Sequence, residues 1–245
     1  MTAMSGRSSP SGSGIRARFH WTTIVRMKLV QCWDDGVTTD ARLVSLLRRH
    51  GARATFNLSA GLHEQERRFG WRHRDTEVWR LCQGELREVY DGFGIANHTL
   101  THPHLDQLPI GEATREIRVG RARLQDLFNQ PVNGFVYPFG SFNEDVAQAV
   151  RAAGHVYART TCAAGSGVGT RDPMAAAPSC HFLAPDFWQC LDRARPTGAF
   201  WFWGHSYELV DEAMWAAFEA SIGRLCAEPH VQWCDPTDLF DAHEL

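Results

Sequence analysis

Short apolar runs alternate with amphipathic stretches along most of the chain. The run at 28–33 predicts a strand, and Leu43, Leu46 and Leu47 follow it at helical spacing, with Gly51 marking the end of that helix. The same unit then recurs. Further strands are predicted at 54–58, 93–96, 134–137, 155–159, 198–203 and 231–234, and helices at 76–90, 111–128, 143–153 and 211–226. Alternation of this kind predicts a parallel sheet covered by helices.

The number and order of these elements favour a single α/β domain. Seven or so strands in βα order predict a distorted (β/α)7-type barrel over residues 27–245. The stretch at 161–179 is rich in glycine and proline and is interpreted as a long surface loop rather than a domain boundary. Residues 1–26 are predicted to be a disordered N-terminal leader, since residues 1–14 are rich in Ser, Gly and Pro.

Composition narrows the class of protein. Hydrophobic residues make up 44% of the chain, and 25 Lys and Arg face 28 Asp and Glu, for a net charge of -3. This balance argues against a nucleic-acid partner or an anionic membrane surface. The longest strictly apolar run, 199–203, is too short to cross a bilayer, which excludes a transmembrane helix. The seven cysteines are scattered and form no CxxC pair, and no apolar secretory segment is visible, so we expect a cytoplasmic protein.

Polar clusters follow four of the predicted strands. They are Asp34-Asp35-Gly36, the stretch at 97–104, Tyr137-Pro138-Phe139-Gly140 and Gly204-His205-Ser206-Tyr207. Because chemistry in parallel βα folds gathers at the carboxyl ends of strands, we expect these clusters to converge on one face.

Two histidines and two aspartates in these clusters predict a metal site. His98 and His102 are four residues apart, which on a helical turn would place both imidazoles on one side. One of Asp34 and Asp35 can complete a three-ligand zinc set, while the other stays free as a base. Gly36 supplies the tight turn that brings the chain close to the site.

These motifs resemble those of the polysaccharide deacetylases (NodB homology, carbohydrate esterase family 4). WDDG at 33–36 is similar to the family's TFDDG motif, and NHTLTHPHL at 97–105 matches its HxxxH metal motif. YPFG at 137–140 resembles the third motif, and WGHSYE at 203–208 resembles the final histidine motif. The resemblance extends from about residue 28 to the C-terminal region and implies a distorted (β/α) barrel.

The resemblance also implies roles for individual residues. Asp34 would be the general base and His205 the general acid, and the backbone N–H of Phe139 would stabilise the oxyanion. The implied metal ligands are Asp35, His98 and His102, with Zn2+ the expected ion and Co2+, Ni2+ or Mn2+ as substitutes. We assign Tyr137, Trp203 and Tyr207 as candidate sugar-binding aromatics, although the alternating spacing predicts that some aromatics near His205 face the core.

The sequence departs from the family pattern in two places. Many members have an arginine in the third motif that pairs with the base aspartate, and the corresponding position here is Val136. The final motif commonly reads His-Asp, whereas His205 is followed by Ser206, so the carboxylate that orients the histidine must come from elsewhere, with Asp186 and Glu208 as candidates.

A further histidine lies between the third and the final motif in the sequence. His181, which follows the long loop, is expected to pack in that loop, and an approach to the site is the less favoured alternative.

Three functions follow from these observations. The first is a metal-dependent hydrolase that removes N-acetyl groups from an amino sugar or oligosaccharide, with an N-acetylated carbohydrate as its partner. The second is a hydrolase of a linear or cyclic non-sugar amide on the same fold. The third is a catalytically impaired carbohydrate-binding protein, which the two departures would explain. The sequence indicates no oligomeric state.

Overall fold

A computed structural model describes residues 26–165, 168–169 and 172–240. The proposed leader at 1–26 lies outside the described residues except for its last position. Six α-helices are described, besides short 3-10 helices: α1 Asp40–His50, α2 Gln83–Val89, α3 Ile110–Phe128, α4 Glu144–Ala152, α5 Phe187–Ala194 and α6 Glu212–Ala227. The strands are β1 Met27–Asp34, β2 Thr55–Leu58, β3 Arg68–His73, β4 Thr76–Arg80, β5 Gly94–Asn97, β6 Gly134–Val136, β7 Tyr157–Arg159, β8 Cys180–His181, β9 Ala199–Gly204 and β10 Val231–Trp233. None of the described helices is both long and apolar enough to span a membrane.

The main sheet is parallel and curls into a half-barrel, which confirms the predicted α/β fold. Its strands follow the order β7-β6-β5-β2-β1-β9-β8, and β10 pairs with the first residues of β1. β1 therefore has neighbours on both sides, and its residues Leu29, Val30 and Trp33 are fully buried. A largely apolar strand that is buried on both faces is typical of the centre of a parallel sheet.

The helices cover the outside of this sheet, and α1 ends where the sequence indicates. In α1, Leu43 and Leu47 are fully buried, and Gly51 adopts the left-handed conformation (φ 63°) that closes the helix. A residue without a Cβ adopts that conformation at little cost, so glycine is favoured there. The helices predicted at 111–128, 143–153 and 211–226 match α3, α4 and α6 to within about two residues at each end, which is the usual uncertainty of helix boundaries.

One predicted element is wrong. The helix predicted at 76–90 is instead strand β4, followed by the shorter helix α2. β4 pairs with β3 in an antiparallel hairpin separate from the main sheet. Alternate residues of β4 differ in exposure, with Val78 buried between exposed Glu77 and Trp79, so this segment follows the two-residue period of a strand.

Candidate active site

A pocket of about 430 Å³ opens at the carboxyl ends of the strands. Its walls bring together all four polar clusters that the sequence singles out. The lining residues are Asp34, Asp35, Trp71, Arg80, His98, His102, Tyr137, Phe139, Thr161, Trp203, His205 and Tyr207. A separate cavity of about 320 Å³, lined by residues of α5 and α6 among others, is mainly apolar and has no titratable side chain in its lining. Acid–base or metal chemistry is therefore placed in the first pocket.

Asp35, His98 and His102 form a cluster that fits a divalent metal ion. One ligand atom from each lies within 4.8 Å of the others, and Asp35 Oδ1 is 3.7 Å from His102 Nε2. Asp35 Oδ1 is buried and has no hydrogen-bond partner among the described residues. A buried carboxylate oxygen without a partner is costly, and a cation would satisfy it.

Both imidazoles of this cluster are in the state that a metal ligand requires. His98 Nδ1 lies 2.9 Å from the carbonyl of Val136, so it donates its proton there and leaves Nε2 as a free lone pair. Burial lowers the pKa of His98 and of His102 to about 4, which keeps both rings neutral at neutral pH.

The loop that presents the two histidines is not helical, contrary to the expectation of a shared helical turn. Thr99 and His102 both have positive φ angles, 68° and 62°. Glu116 of α3 holds the loop, because its carboxylate accepts hydrogen bonds from the backbone N–H groups of Leu100 (3.0 Å) and Thr101 (2.7 Å). The imidazoles meet because of this fixed irregular backbone, with ring centroids 4.6 Å apart.

Asp34 and Asp35 point to different partners although they are adjacent. Asp34 ends β1, whereas Asp35 has a φ of 85°, which turns its side chain toward the two histidines. Gly36 continues this turn with a φ of 67°, and a Cβ there would lie 2.5 Å from Cε1 of His63. The tight turn predicted from the sequence thus requires glycine at position 36.

Asp34 is a fully ionised carboxylate held by two side chains. Asn57 Nδ2 donates to Asp34 Oδ1 at 2.6 Å, and Arg159 donates from Nη2 to Asp34 Oδ2. Burial opposes ionisation, but Arg159 and the hydrogen bond from Asn57 outweigh it and lower the pKa of Asp34 to about 2.

Arg159 is the cation whose position the sequence does not reveal. It ends β7 and is completely buried, with its guanidinium 4.4 Å from the ring centre of Trp203. Val136, where the arginine was expected, is its register partner on the neighbouring strand β6. The only indication of this role in the sequence was the position of a charged residue at the end of a short, mainly apolar predicted strand.

His205 faces Asp34 and Asp35 and is oriented from behind by Glu208. His205 Nε2 lies 3.9 Å from one carboxylate oxygen of each aspartate, and its Nδ1 lies 3.1 Å from Glu208 Oε2. Burial disfavours the imidazolium, but Glu208 and the two aspartates outweigh it and raise the pKa of His205. Of the two candidate carboxylates, Glu208 takes this place, while Asp186 forms an exposed ion pair with Arg193.

His181 joins this group, although packing within the loop was the favoured expectation for it. Its Nδ1 accepts a hydrogen bond from the backbone N–H of Leu183 at 3.2 Å, so in the neutral ring the proton sits on Nε2. That Nε2 lies 3.0 Å from Glu208 Oε2. Glu208 therefore accepts from two histidines, and these donors lower its pKa well below the usual range despite its burial.

The remaining predicted residues lie around the pocket with different exposure. Phe139 adopts a positive φ of 59° in the turn after β6, and its ring stacks on His104 with centroids 3.8 Å apart. Trp203 and Tyr207 flank His205. Tyr137 is almost fully buried, and its hydroxyl donates to the carbonyl of Met174 at 2.8 Å, so it mainly packs behind the pocket wall.

Several pocket residues have no counterpart in the sequence prediction. They are Trp71 and Arg80 from the β3–β4 hairpin, and Thr161 at the start of the long loop. The hairpin residues were missed because the segment at 76–90 was interpreted as a helix, so no hairpin was expected there.

An aspartate and two histidines at the strand ends of a parallel half-barrel define a candidate metal centre in an α/β fold. The family model for polysaccharide deacetylases matches residues 26–158, more than half of the chain. The chain belongs to the polysaccharide deacetylase family.

Solved structures share the fold. The Streptococcus pyogenes deacetylase PplD in complex with acetate is 20% identical with a TM-score of 0.54, covering 66% of this chain and 68% of that one. The family 4 carbohydrate esterase from Streptomyces lividans in complex with acetate is 18% identical with a TM-score of 0.53, over 82% and 86%. BA3943 from Bacillus anthracis, a CE4 family pseudoenzyme, is 15% identical with a TM-score of 0.57, over 88% and 66%. No curated protein matches in sequence.

Proposed function

We propose that the protein is a metal-dependent hydrolase that removes N-acetyl groups from an amino sugar or oligosaccharide. The observation that carries the proposal is the meeting, in one pocket, of three residues suited to a metal with an ionised aspartate and a carboxylate-supported histidine. Membership of the deacetylase family supports it.

The candidate metal ligands are Asp35, His98 and His102, with Zn2+ the ion we expect. Two neutral imidazoles and a carboxylate are a ligand set typical of catalytic zinc. A divalent ion bound there would supply Lewis acidity toward a carbonyl oxygen and toward water.

Two residues of the chain then carry out the proton transfers, one as the base and the other as the acid. Asp34, held ionised by Arg159, accepts a proton from the attacking water. Glu208 stabilises the imidazolium form of His205 before the reaction. His205 then donates a proton from Nε2 to the leaving nitrogen. The backbone N–H of Phe139 would donate to the developing oxyanion.

Arg159 and Glu208 favour catalysis over a purely binding role. The sequence suggested a catalytically impaired protein because two charged partners were missing from the expected positions. In the structure, Arg159 is the charged partner of Asp34, and Glu208 is the charged partner of His205. Both partners come from positions of the chain other than those expected.

Acetate release from a panel of N-acetylated mono- and oligosaccharides tests the proposal, with zinc-loaded wild type and Asp34→Asn side by side. We expect the variant to lose at least 100-fold in kcat while it still binds one zinc ion, because the base is lost and the three candidate ligands remain. Asp145→Asn, an exposed aspartate on α4, is the control. Zinc binding without acetate release from any sugar would reject the proposal and direct the search to non-sugar amides.

A further inference from the structure

A second histidine, His181, lies behind the candidate acid His205 and takes no part in the proton transfers proposed above. It ends β8, whose two residues pair in parallel with β9, and its register partner is Trp203. The imidazole of His181 meets the indole of Trp203 edge to face, with centroids 4.8 Å apart. A Cβ at position 204 would lie 3.2 Å from His181 Nε2, so Gly204 leaves room for the ring. The sheet and this glycine together fix the place of the imidazole.

The two ring nitrogens of His181 have different partners. Nδ1 accepts a hydrogen bond from the backbone N–H of Leu183 at 3.2 Å, so the neutral ring carries its proton on Nε2. That nitrogen lies 3.0 Å from Glu208 Oε2. The backbone of the loop after β8 thus sets the tautomer in which His181 donates to Glu208.

Glu208 Oε2 has three donors, and two of them belong to its own turn. The backbone N–H of His205 lies 2.9 Å from this oxygen, and Nδ1 of the same residue lies 3.1 Å from it. Among the described residues, His181 is the one donor to this oxygen from outside the turn. The local donors move with the turn, so His181 alone ties the carboxylate to a different strand.

The side chains of His181, His205 and Glu208 also meet the distance requirement of a metal site, with one ligand atom from each within 4.8 Å of the others. A metal on His181 Nε2 would need a lone pair there. The N–H of Leu183 occupies the lone pair of Nδ1 instead, which leaves the proton on Nε2. The geometry therefore favours a chain of hydrogen bonds over a second metal ion.

This chain lies behind the substrate-facing surface. The described residues that line the pocket include His205 but neither His181 nor Glu208. Loss of His181 would therefore leave the surface that contacts the substrate unchanged. It would loosen the support of the acid, because a side chain that contacts the reacting atoms keeps its orientation only while its own partners are fixed.

We propose that His181 is a positioning residue, which holds the carboxylate of Glu208 behind His205 so that Nε2 of His205 faces the leaving nitrogen. This role rests on the proposed function, in which His205 is the acid. The contact between His181 and Glu208 is measurable without any substrate.

The kinetic test compares two acetyl compounds that differ in the leaving atom, para-nitroacetanilide and para-nitrophenyl acetate. The nitrogen of the anilide must be protonated as it leaves, whereas the phenolate leaves as an anion. We expect His181→Phe, which keeps the ring but not the donor, to lose about 10- to 100-fold in kcat on the anilide and at most about 2-fold on the ester, with KM unchanged.

Two further variants show whether the donor itself matters. His181→Gln should recover most of the lost kcat on the anilide, because its amide nitrogen can donate to Glu208. The control is His50→Phe, since His50 also contacts a carboxylate, that of Glu219 at 3.2 Å, but lies on α1 away from the site. This control should keep the wild-type rates. Equal losses on both compounds in His181→Phe, or no loss on the anilide, would overturn the proposal.

Nitrogen-15 NMR of the histidine side chains at neutral pH tests the contact without turnover. We expect His181 as the tautomer with its proton on Nε2, and a shift of the His205 Nδ1–H resonance in His181→Phe but not in His50→Phe. A proton on Nδ1 of His181, or an unmoved His205 resonance, would overturn the proposal. Equal zinc content of wild type and His181→Phe is expected, and loss of one zinc ion in the variant would assign the three side chains to a metal instead.

Acetate release from N-acetylated sugars separates this proposal from the proposed function. Loss of anilide hydrolysis in His181→Phe, with no acetate released from any sugar by wild type, would support the role of His181 and reject the sugar substrate. Acetate release from sugars at the same kcat in wild type and His181→Phe would support the deacetylase and reject the role of His181. If wild type hydrolyses neither sugars nor the anilide, the proposed function and the support of an acid are both rejected.

Discussion

At the scale of single residues, the ionisation of Asp34 depends on side chains far away in the sequence. Asn57 is 23 positions from Asp34 and Arg159 is 125 positions away, yet both contact its carboxylate. Arg159 matters more, because it supplies the charge that offsets the burial of Asp34. The pair is buried on both sides, so removal of either partner leaves an uncompensated charge.

Replacement of Arg159 by Met should destabilise the fold by roughly 3 to 5 kcal/mol, because Asp34 would remain buried without its counter-ion. Urea unfolding at neutral pH measures this loss. In wild type the pair contributes stability above the unfolded pKa of 3.8, and this contribution is lost as the pH falls toward about 2. Arg151→Met, which breaks an exposed pair with Asp172, should cost no more than about 1 kcal/mol. Equal losses in the two variants would contradict the assignment.

Glu208→Gln should move the alkaline limb of the pH–rate profile to lower pH. His205 must be protonated to act as an acid, and Glu208 contributes to the raised pKa of that imidazole. Without the carboxylate, the ring loses its proton at a lower pH, so kcat falls earlier as the pH rises. Glu212→Gln, an exposed residue paired with Arg42, is the control. An unmoved limb would show that Glu208 has no influence on the proton of His205.

At the scale of elements, Asp40 connects three parts of the structure. It begins α1, and its carboxylate accepts hydrogen bonds from Ser206 beside His205 and from Tyr90 at the end of α2, the latter at 2.6 Å. Burial nevertheless dominates and raises the pKa of Asp40 to about 7. The turn that carries His205 is thus anchored to a carboxyl group that titrates near neutral pH.

This raised pKa predicts the direction in which stability changes with pH. Between the unfolded pKa of 3.8 and about 7, the folded protein holds a proton that the unfolded chain has lost. The contribution of Asp40 to the free energy of unfolding should therefore decrease as the pH rises through this window, whereas the lowered pKa values of His98 and His102 contribute with the opposite sign between about 4 and 6.5. Relative to wild type, Asp40→Asn should remove a loss of roughly 1 to 4 kcal/mol between pH 4 and 8, as measured by denaturant unfolding. The exposed variant Asp145→Asn should leave the slope as in wild type, and an unchanged slope in Asp40→Asn would reject this role.

Sequence patterns predict the regular elements here better than the irregular ones. The strands of the sheet and the helices that cover it follow a clear hydrophobic periodicity. That periodicity also shows where the strands end, and the polar clusters lie at those ends. The conformation of the loop around His98 and His102 could not be predicted in detail, since the i, i+4 spacing of the two histidines suits a helical turn. The loop is irregular because Glu116 of α3 accepts hydrogen bonds from its backbone, and the sequence pattern does not reveal this contact. Arg159 and His181 were missed for the same reason, because their partners are set by tertiary contacts, whereas Arg80 was missed because its strand was interpreted as part of a helix.

At the scale of the whole molecule, the parallel sheet gathers residues from most of the chain at one edge. The candidate metal ligands follow β1 and β5, while the residues that support Asp34 come from β2 and β7. A metal ion at this edge would therefore link segments that are separate in sequence. The cytoplasmic location expected from the sequence stays a prediction.

Zinc at about 100 times its Kd should stabilise the folded protein by about 2.7 kcal/mol, because it binds the folded state alone. For a protein of this size that corresponds to a rise in Tm of about 5 to 10 °C. Scanning calorimetry with zinc and with a chelator measures the difference. Asp35→Asn should lose most of the rise, whereas Asp145→Asn should keep it. An equal rise in both variants would place the ion elsewhere.

The pairing of Val136 with Arg159 has a consequence for how such sites are inherited. The two positions occupy the same rung of neighbouring strands, although 22 residues separate them along the chain. A profile compares positions in linear order, and the family match ends at residue 158, one residue before this arginine. An arginine at the paired position of the adjacent strand can contact the same aspartate. Two relatives can thus keep identical chemistry while no alignment column holds an arginine in both.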